Sequence, residues 1–170
     1  MTTGSLWAAL ENSSLGSAIA SNEFLFPTIE TVHVIAIVTV IGAIAIMDLR
    51  LLGVTSGSKS VAAMEHDALP VTWIAFTLAV ITGGLLFVSK AQSYMVNPYF
   101  LWKTALMALA GVNMVVFHRY FSKDIGTWGA PGGAIPLSAK LSATLSLLLW
   151  MAIPFCGRVI GFTLGVYYAG

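Results

Sequence analysis

Four apolar stretches, each about long enough to cross a bilayer, constrain this chain more than any other feature of it. They run from Phe26 to Leu49, Leu69 to Val88, Tyr99 to Tyr120 and Leu137 to Val159. A helix rises about 1.5 Å per residue, so about 20 apolar residues span the hydrocarbon core. Lipid offers no partner to a backbone N–H or C=O, so each stretch must satisfy its own hydrogen bonds as a helix. Short connections between them predict an all-α, integral membrane, up-down-up-down bundle in which neighbours are antiparallel, one domain over residues 1–170. Composition agrees. Hydrophobic residues make up 58% of the chain and charged residues 9%, against about 25% charged in a soluble domain. With net charge +1 and no basic run, nothing points to nucleic acid; the partner that composition implies is the lipid bilayer. Cys156 is the single cysteine, which excludes an internal disulfide and a Cys–Cys metal spacing.

The connections are polar and punctuated. GVTSGSKS (53–60) and DIGTWGAPGGAIP (124–136) read as Gly-rich loops, with Trp128 placed at the headgroups. KAQSYMVNP (90–98) reads as a short turn closed by Pro98 at the start of the third span. The opening MTTGSLWAALENSS lacks the basic segment of a secretory signal and reads as mature protein. Leu6, Trp7, Leu10, Leu15 and Ile19 fall at helical spacing, which predicts an amphipathic interfacial helix over about residues 5–20 anchored by Trp7. Arg50, Lys59, Arg119, Lys123 and Lys140 collect on one side of the membrane; Lys90, Lys103 and Arg158 collect on the other. The excess of Lys and Arg predicts that the first side is cytoplasmic, in a bacterial inner membrane, with both termini outside. Gly83, Gly84 and Gly111 mark expected close helix contacts. Pro154 is expected to break the fourth helix and free the carbonyl of Trp150.

The polar residues inside the spans carry the functional question. Glu30 and Asp48 are eighteen residues apart, about five turns at ~100° per residue, so they share one face of the first helix. His33 lies about 60° round from Glu30. Lipid rejects such a face, so it should point into the bundle. One polar cluster is expected from Glu30, His33, Lys103 and Arg158, with Tyr94 and Asn97 in the adjoining turn. A second is expected from Asp48, Asn113 and His118, with Arg119 and Lys140 nearby. Each also has a plain structural reading, as an ion pair that orients helices. His66, in MEHDA, reads as solvated.

Inward histidines in a four-helix membrane bundle also fit haem b. His33 and His118 lie about 15–20 Å apart in depth, too far to clamp one iron. His33 with Met107, or His118 with His66, are the pairings that remain. Glu30-x-x-His33 is the i, i+3 pair with which bundles hold a metal ion, though a di-iron site needs two such pairs and this chain has one. A lone Glu–His pair also serves as a proton relay. No nucleophile–base pattern, phosphate loop or HExxH stands in the sequence, so an enzyme in its own right is not expected.

FPTIETVHV, MDLRLLG, NPYFLWK, AGVNMVVFHR and SLLLWMAIPFCGR, in that order, resemble the motif string of a family of small bacterial four-helix membrane proteins of unknown function. The resemblance runs from about Leu6 to the end of the chain. It implies Glu30, His33, Asp48, Arg50, Asn97, Lys103, Asn113, His118, Trp150 and Arg158 as family positions. His66 falls outside the pattern, Met107 stands where the family has an aliphatic residue, and FCGR departs from a smaller residue before Gly-Arg. No chemistry comes with the resemblance. The residues lead to a haem b- or metal-binding subunit for electron transfer or an accessory role. The alternative is a non-redox component, a transporter or channel subunit or a partner- or lipid-binding accessory protein, working with other membrane subunits or as a homo-oligomer.

Overall fold

The computed structural model of the protein describes residues 3–55, 60–128 and 134–167. Lys59, one of the orienting charges, and residues 56–59 and 129–133 of the two Gly-rich loops lie outside the described residues. All regular structure among the described residues is helical. Two short helices, α1 (Thr3–Glu11) and α2 (Ser14–Ser21), precede α3 (Leu25–Leu51). Then come α4 (Val61–Ser89), the short α5 (Ala91–Val96), α6 (Pro98–Val116) and α7 (Leu137–Thr163). Four helices are long and apolar enough to cross a membrane: α3, α4, α7, and α6 with its continuation to Phe121. The protein is a multi-pass membrane protein, and a bilayer is its surrounding.

The helix starts follow local chemistry. The Ser60 hydroxyl accepts from the N–H of Ala63, so α4 begins well before the expected Leu69 and carries the charged MEHDA segment in its first turns. Twenty-nine residues rise about 44 Å, more than the ~30 Å of hydrocarbon, so those turns extend into the interface. Pro70 in α4 and Pro154 in α7 are both carried inside unbroken helices, so the expected break at Pro154 is absent. The single interfacial helix expected over 5–20 is divided. Asn12 and Ser13 part α1 from α2, and Ser13 caps α2 by accepting from Gly16.

The packing is uneven. α3 packs along α4, α6 packs along α7, and α3 meets α7, whereas α4 and α6 meet at the capped end, where Phe87 stacks on Phe100, and do not pack along their length. The bundle is thus closed on three sides and open on the fourth. At one end, here the capped end, α1 docks on α5 and α2 on α4. Trp7 meets the edge of Phe87 at 5.8 Å, and Phe87 stacks on Phe100 at 5.5 Å. Trp7 therefore packs on protein at the capped end. Glu11 accepts from the N–H of Gln92. At the other end, the loop end, Trp128 is 3% exposed and packs with Leu51, Val61, Phe117, Ala139 and Ala143. It closes the core there, enclosed by side chains.

Glycine does less in helix contact than expected. Only Gly83 of the three makes a close one: a Cβ there would lie 2.9 Å from the His33 ring, while at Gly84 and Gly111 it would meet nothing within 4 Å.

Asn97 ties the capped end together. It is fully buried. Its Oδ1 accepts from the N–H groups of Tyr99 and Phe100, and its Nδ2 donates to Thr163 Oγ1 at 3.0 Å. It is a cap and a cross-helix tie, not a partner of Glu30 or His33. Asn97→Ala is expected to lower unfolding stability in detergent by about 1–2 kcal/mol from the cap, with more from the lost tie. Thr163→Val, which removes only the tie, is expected to cost less.

Candidate functional site

The open side of the bundle holds a cavity of about 180 Å³ in the loop-end half. Its deeper wall is apolar and aromatic, with Val40, Phe76, Met107 and Trp150. Its polar members, Asp48, Asn113, His118, Ser142 and Ser146, stand toward the loop end. The structure therefore brings Asp48, Asn113 and His118, three of the residues singled out from sequence, to one space. Arg119 is exposed, and among the described residues no ion pair joins Asp48 to Arg119, Lys140 or His118.

The polar groups of this cavity differ in how well they are satisfied. Asn113 Nδ2 donates to the Ser142 carbonyl at 3.1 Å, and Ser142 Oγ donates to Asn113 Oδ1 at 3.0 Å, a closed pair that ties α6 to α7. Thr72 donates to its own helix at Ala68. Asp48 is 6% exposed. The Ser146 hydroxyl lies beside its carboxylate, but Oδ2 is buried with no hydrogen-bond partner. Leaving a buried acceptor unpaired costs about 1–3 kcal/mol, and more if it is charged. Asp48 is the costly residue here.

His118 belongs to a single π turn, Phe117–Phe121, that ends α6. π turns re-aim side chains and recur at functional sites. This one sets His118 Nδ1 3.4 Å from Glu65 Oε1 on α4. The contact bridges α4 and the end of α6 at the loop end of the cavity, as Phe87 and Phe100 bridge the same helices at the capped end. Sequence reasoning missed Glu65. The only available signal was its place one residue before His66, in the charged MEHDA stretch.

The expected capped-end cluster separates into an inner and an outer part. His33 Nδ1 lies 2.9 Å from Thr82 Oγ1. The Thr82 hydroxyl proton is directed to the Leu78 carbonyl at 2.7 Å, so the imidazole donates from Nδ1, and the ring also lies beside the Ala79 carbonyl. Lys103 is close enough for its charge to act on His33, and its Nζ would lie 3.7 Å from a Cβ at Gly157. Glu30 and Arg158 are exposed. Among the described residues no ion pair joins either Glu30 or Arg158 to a partner; the Arg158 guanidinium lies 4.5 Å from the centre of the Phe162 ring. Glu30 acts instead on Tyr94. Burial, and after it the Glu30 charge, push the Tyr94 phenol up to about 12. Tyr94 is therefore a neutral member of the aromatic group with Phe87 and Phe100. Glu30 and Asp48 share a helix face, as their spacing requires, yet one is exposed and the other enclosed.

The ligand pairs considered from sequence are not assembled. Met107 lines the loop-end cavity, not the His33 site. The His66 side chain is 90% exposed and faces Asp67. Glu30 and His33 gain no third ligand: among the described residues no three His, Cys, Asp or Glu side chains converge.

Gly83 gives a local test of the His33 site. Gly83→Ala is expected to displace the ring, break its bond to Thr82 and cost about 1 kcal/mol. Gly84→Ala, with open space at Cβ, is expected to change stability by less than about 0.5 kcal/mol. Detergent unfolding and the ring nitrogen shifts of His33 read both.

Residues 7–163 match the model of a family of unknown function, DUF6644, and the chain belongs to that family. No curated protein matches the chain, and no solved structure does.

Proposed function

We propose that this member of the family takes an amphiphilic, lipid-soluble molecule from the bilayer into the cleft between α4 and α6. The observation that carries the reading is the unpacked α4–α6 side, with a cavity behind it that is apolar toward the midplane and polar at Asp48. An amphiphile in this cleft would keep the orientation it has in a leaflet, head at the loop end and tail inward. Binding sites of this kind are mostly apolar with a few convergent polar groups. Met107 and Met114 on the cavity wall supply adaptable contact. This reading belongs to the non-redox class, a binding or transport component. The Lys and Arg distribution supports a bacterial inner membrane with the loop end cytoplasmic and both termini outside.

Gly111 offers the direct test. It lines the cavity, and a Cβ on it meets nothing within 4 Å. A large side chain there can fill the cavity without a clash at its first atom, and helix propensity favours the change. Wild type and Gly111→Phe, purified in the same neutral detergent, are extracted with organic solvent and the bound small molecules weighed by mass spectrometry. The expected result is an amphiphile retained by wild type and depleted several-fold in a Gly111→Phe protein that remains folded. Identical extracts would contradict the reading. A b-type reduced-minus-oxidised spectrum on the wild-type sample would replace it with a haem protein.

A further inference from the structure

We propose that the occupant of the α4–α6 cleft is a lipophilic amine, an apolar body with an ammonium head, and that Asp48 binds the head. The proposal rests on the reading of the cleft as a binding site and goes on to name the class of ligand.

Asp48 is 6% exposed, lines the cavity and holds Oδ2 buried without a partner. An ionised carboxylate only accepts. Of the nearby donors, Asn113 and Ser142 bond each other, Thr72 donates to Ala68, and the Ser146 hydroxyl beside the carboxylate does not reach Oδ2. No protein donor reaches Oδ2, and the ligand's head supplies one once the carboxylate turns that oxygen toward the cavity.

The charge account narrows the head further. The cavity wall carries two acids, Asp48 and Glu65, and no lysine or arginine. His118 is the one basic group on that wall, and it faces Glu65 at 3.4 Å. On that wall Asp48 is the acid with no counter-charge. A hydroxyl head would satisfy the acceptor but not the charge. A phosphate or carboxylate head would add repulsion to both acids. An ammonium head supplies the donor and the opposite charge together, and charge-assisted bonds are about twice as strong as neutral ones.

The wall suits the rest of such a molecule. Trp73, Phe76 and Trp150 line the cavity, and aromatic faces attract cations at close range. Met107 and Met114 adapt to an apolar body of undefined shape. Asp48 lies close to the loop-end terminus of α3, so an ammonium head reaches it from the interface without crossing the midplane.

The test is calorimetric titration of the full chain in neutral maltoside micelles, near neutral pH, with dodecylamine hydrochloride and with dodecanol. Gly111→Phe serves as the blocked reference. Wild type is expected to bind the amine at least ~10-fold more tightly than the alcohol. Asp48→Asn, isosteric but neutral, is expected to bring that ratio near one. Equal binding of amine and alcohol by wild type, lost for both in Gly111→Phe, would overturn the ammonium assignment and leave the cleft standing. Binding that survives unchanged in Gly111→Phe, or no binding of either probe, would overturn the cleft and the assignment with it. Should Asp48→Asn fail to fold, the wild-type ratio against Gly111→Phe decides alone.

Discussion

The contact between α3 and α7 determines the shape of everything else. It joins two helical hairpins, α3–α4 and α6–α7, through one helix of each, and so keeps α4 and α6 from packing along their length between the Phe87–Phe100 stack and the loop end. In water an apolar seam of this kind would collapse. In a bilayer it has no such drive, because lipid tails are as apolar as the side chains they touch. What closes the seam is local. His118 and Glu65 meet at its loop end, and the Trp128 core seals the floor beneath. The short α1, α2 and α5 cap the opposite end. Between the two, the fourth side stays open.

That openness gives the polar residues distinct roles. Asn97, Asn113 and Ser142 hold helices together, and each has its hydrogen bonds met. His33 is held by Thr82 and fitted against Gly83. Asp48 has no comparable provision. It is enclosed as deeply as the structural residues, but one of its oxygens has no donor. On the proposed reading, the missing donor arrives with the ligand.

The four spans were legible because about 20 apolar residues in a row leave a chain few alternatives. The N-terminus of α6 was legible as well, since Pro98 marks it. The start of α4 was not, because Glu65, His66 and Asp67 hide the helical signal behind charge; the Ser60 cap was the overlooked cue. Helical spacing placed Glu30 and Asp48 on one face, but spacing cannot tell which stretch of a face a neighbour covers. The capped-end cluster was therefore drawn too tight: Glu30 and Arg158 are exposed, and Asn97 turns inward as a cap. Gly111 looked like a packing residue, and it borders a cavity. A gap between helices is a property of four surfaces at once, and no single stretch of sequence carries it.

The central claim is that the α4–α6 side is open to lipid as far as Trp150. Fluorescence quenching in bilayers with brominated acyl chains tests it, with the Trp150 signal taken as the difference between wild type and Trp150→Phe. Trp102, 65% exposed on α6, and Trp128, 3% exposed in the loop-end core, set the two limits. An open cleft predicts that Trp150 is quenched nearly as strongly as Trp102. A Trp150 as shielded as Trp128 would mean that α4 and α6 close over the cavity, and would contradict the account.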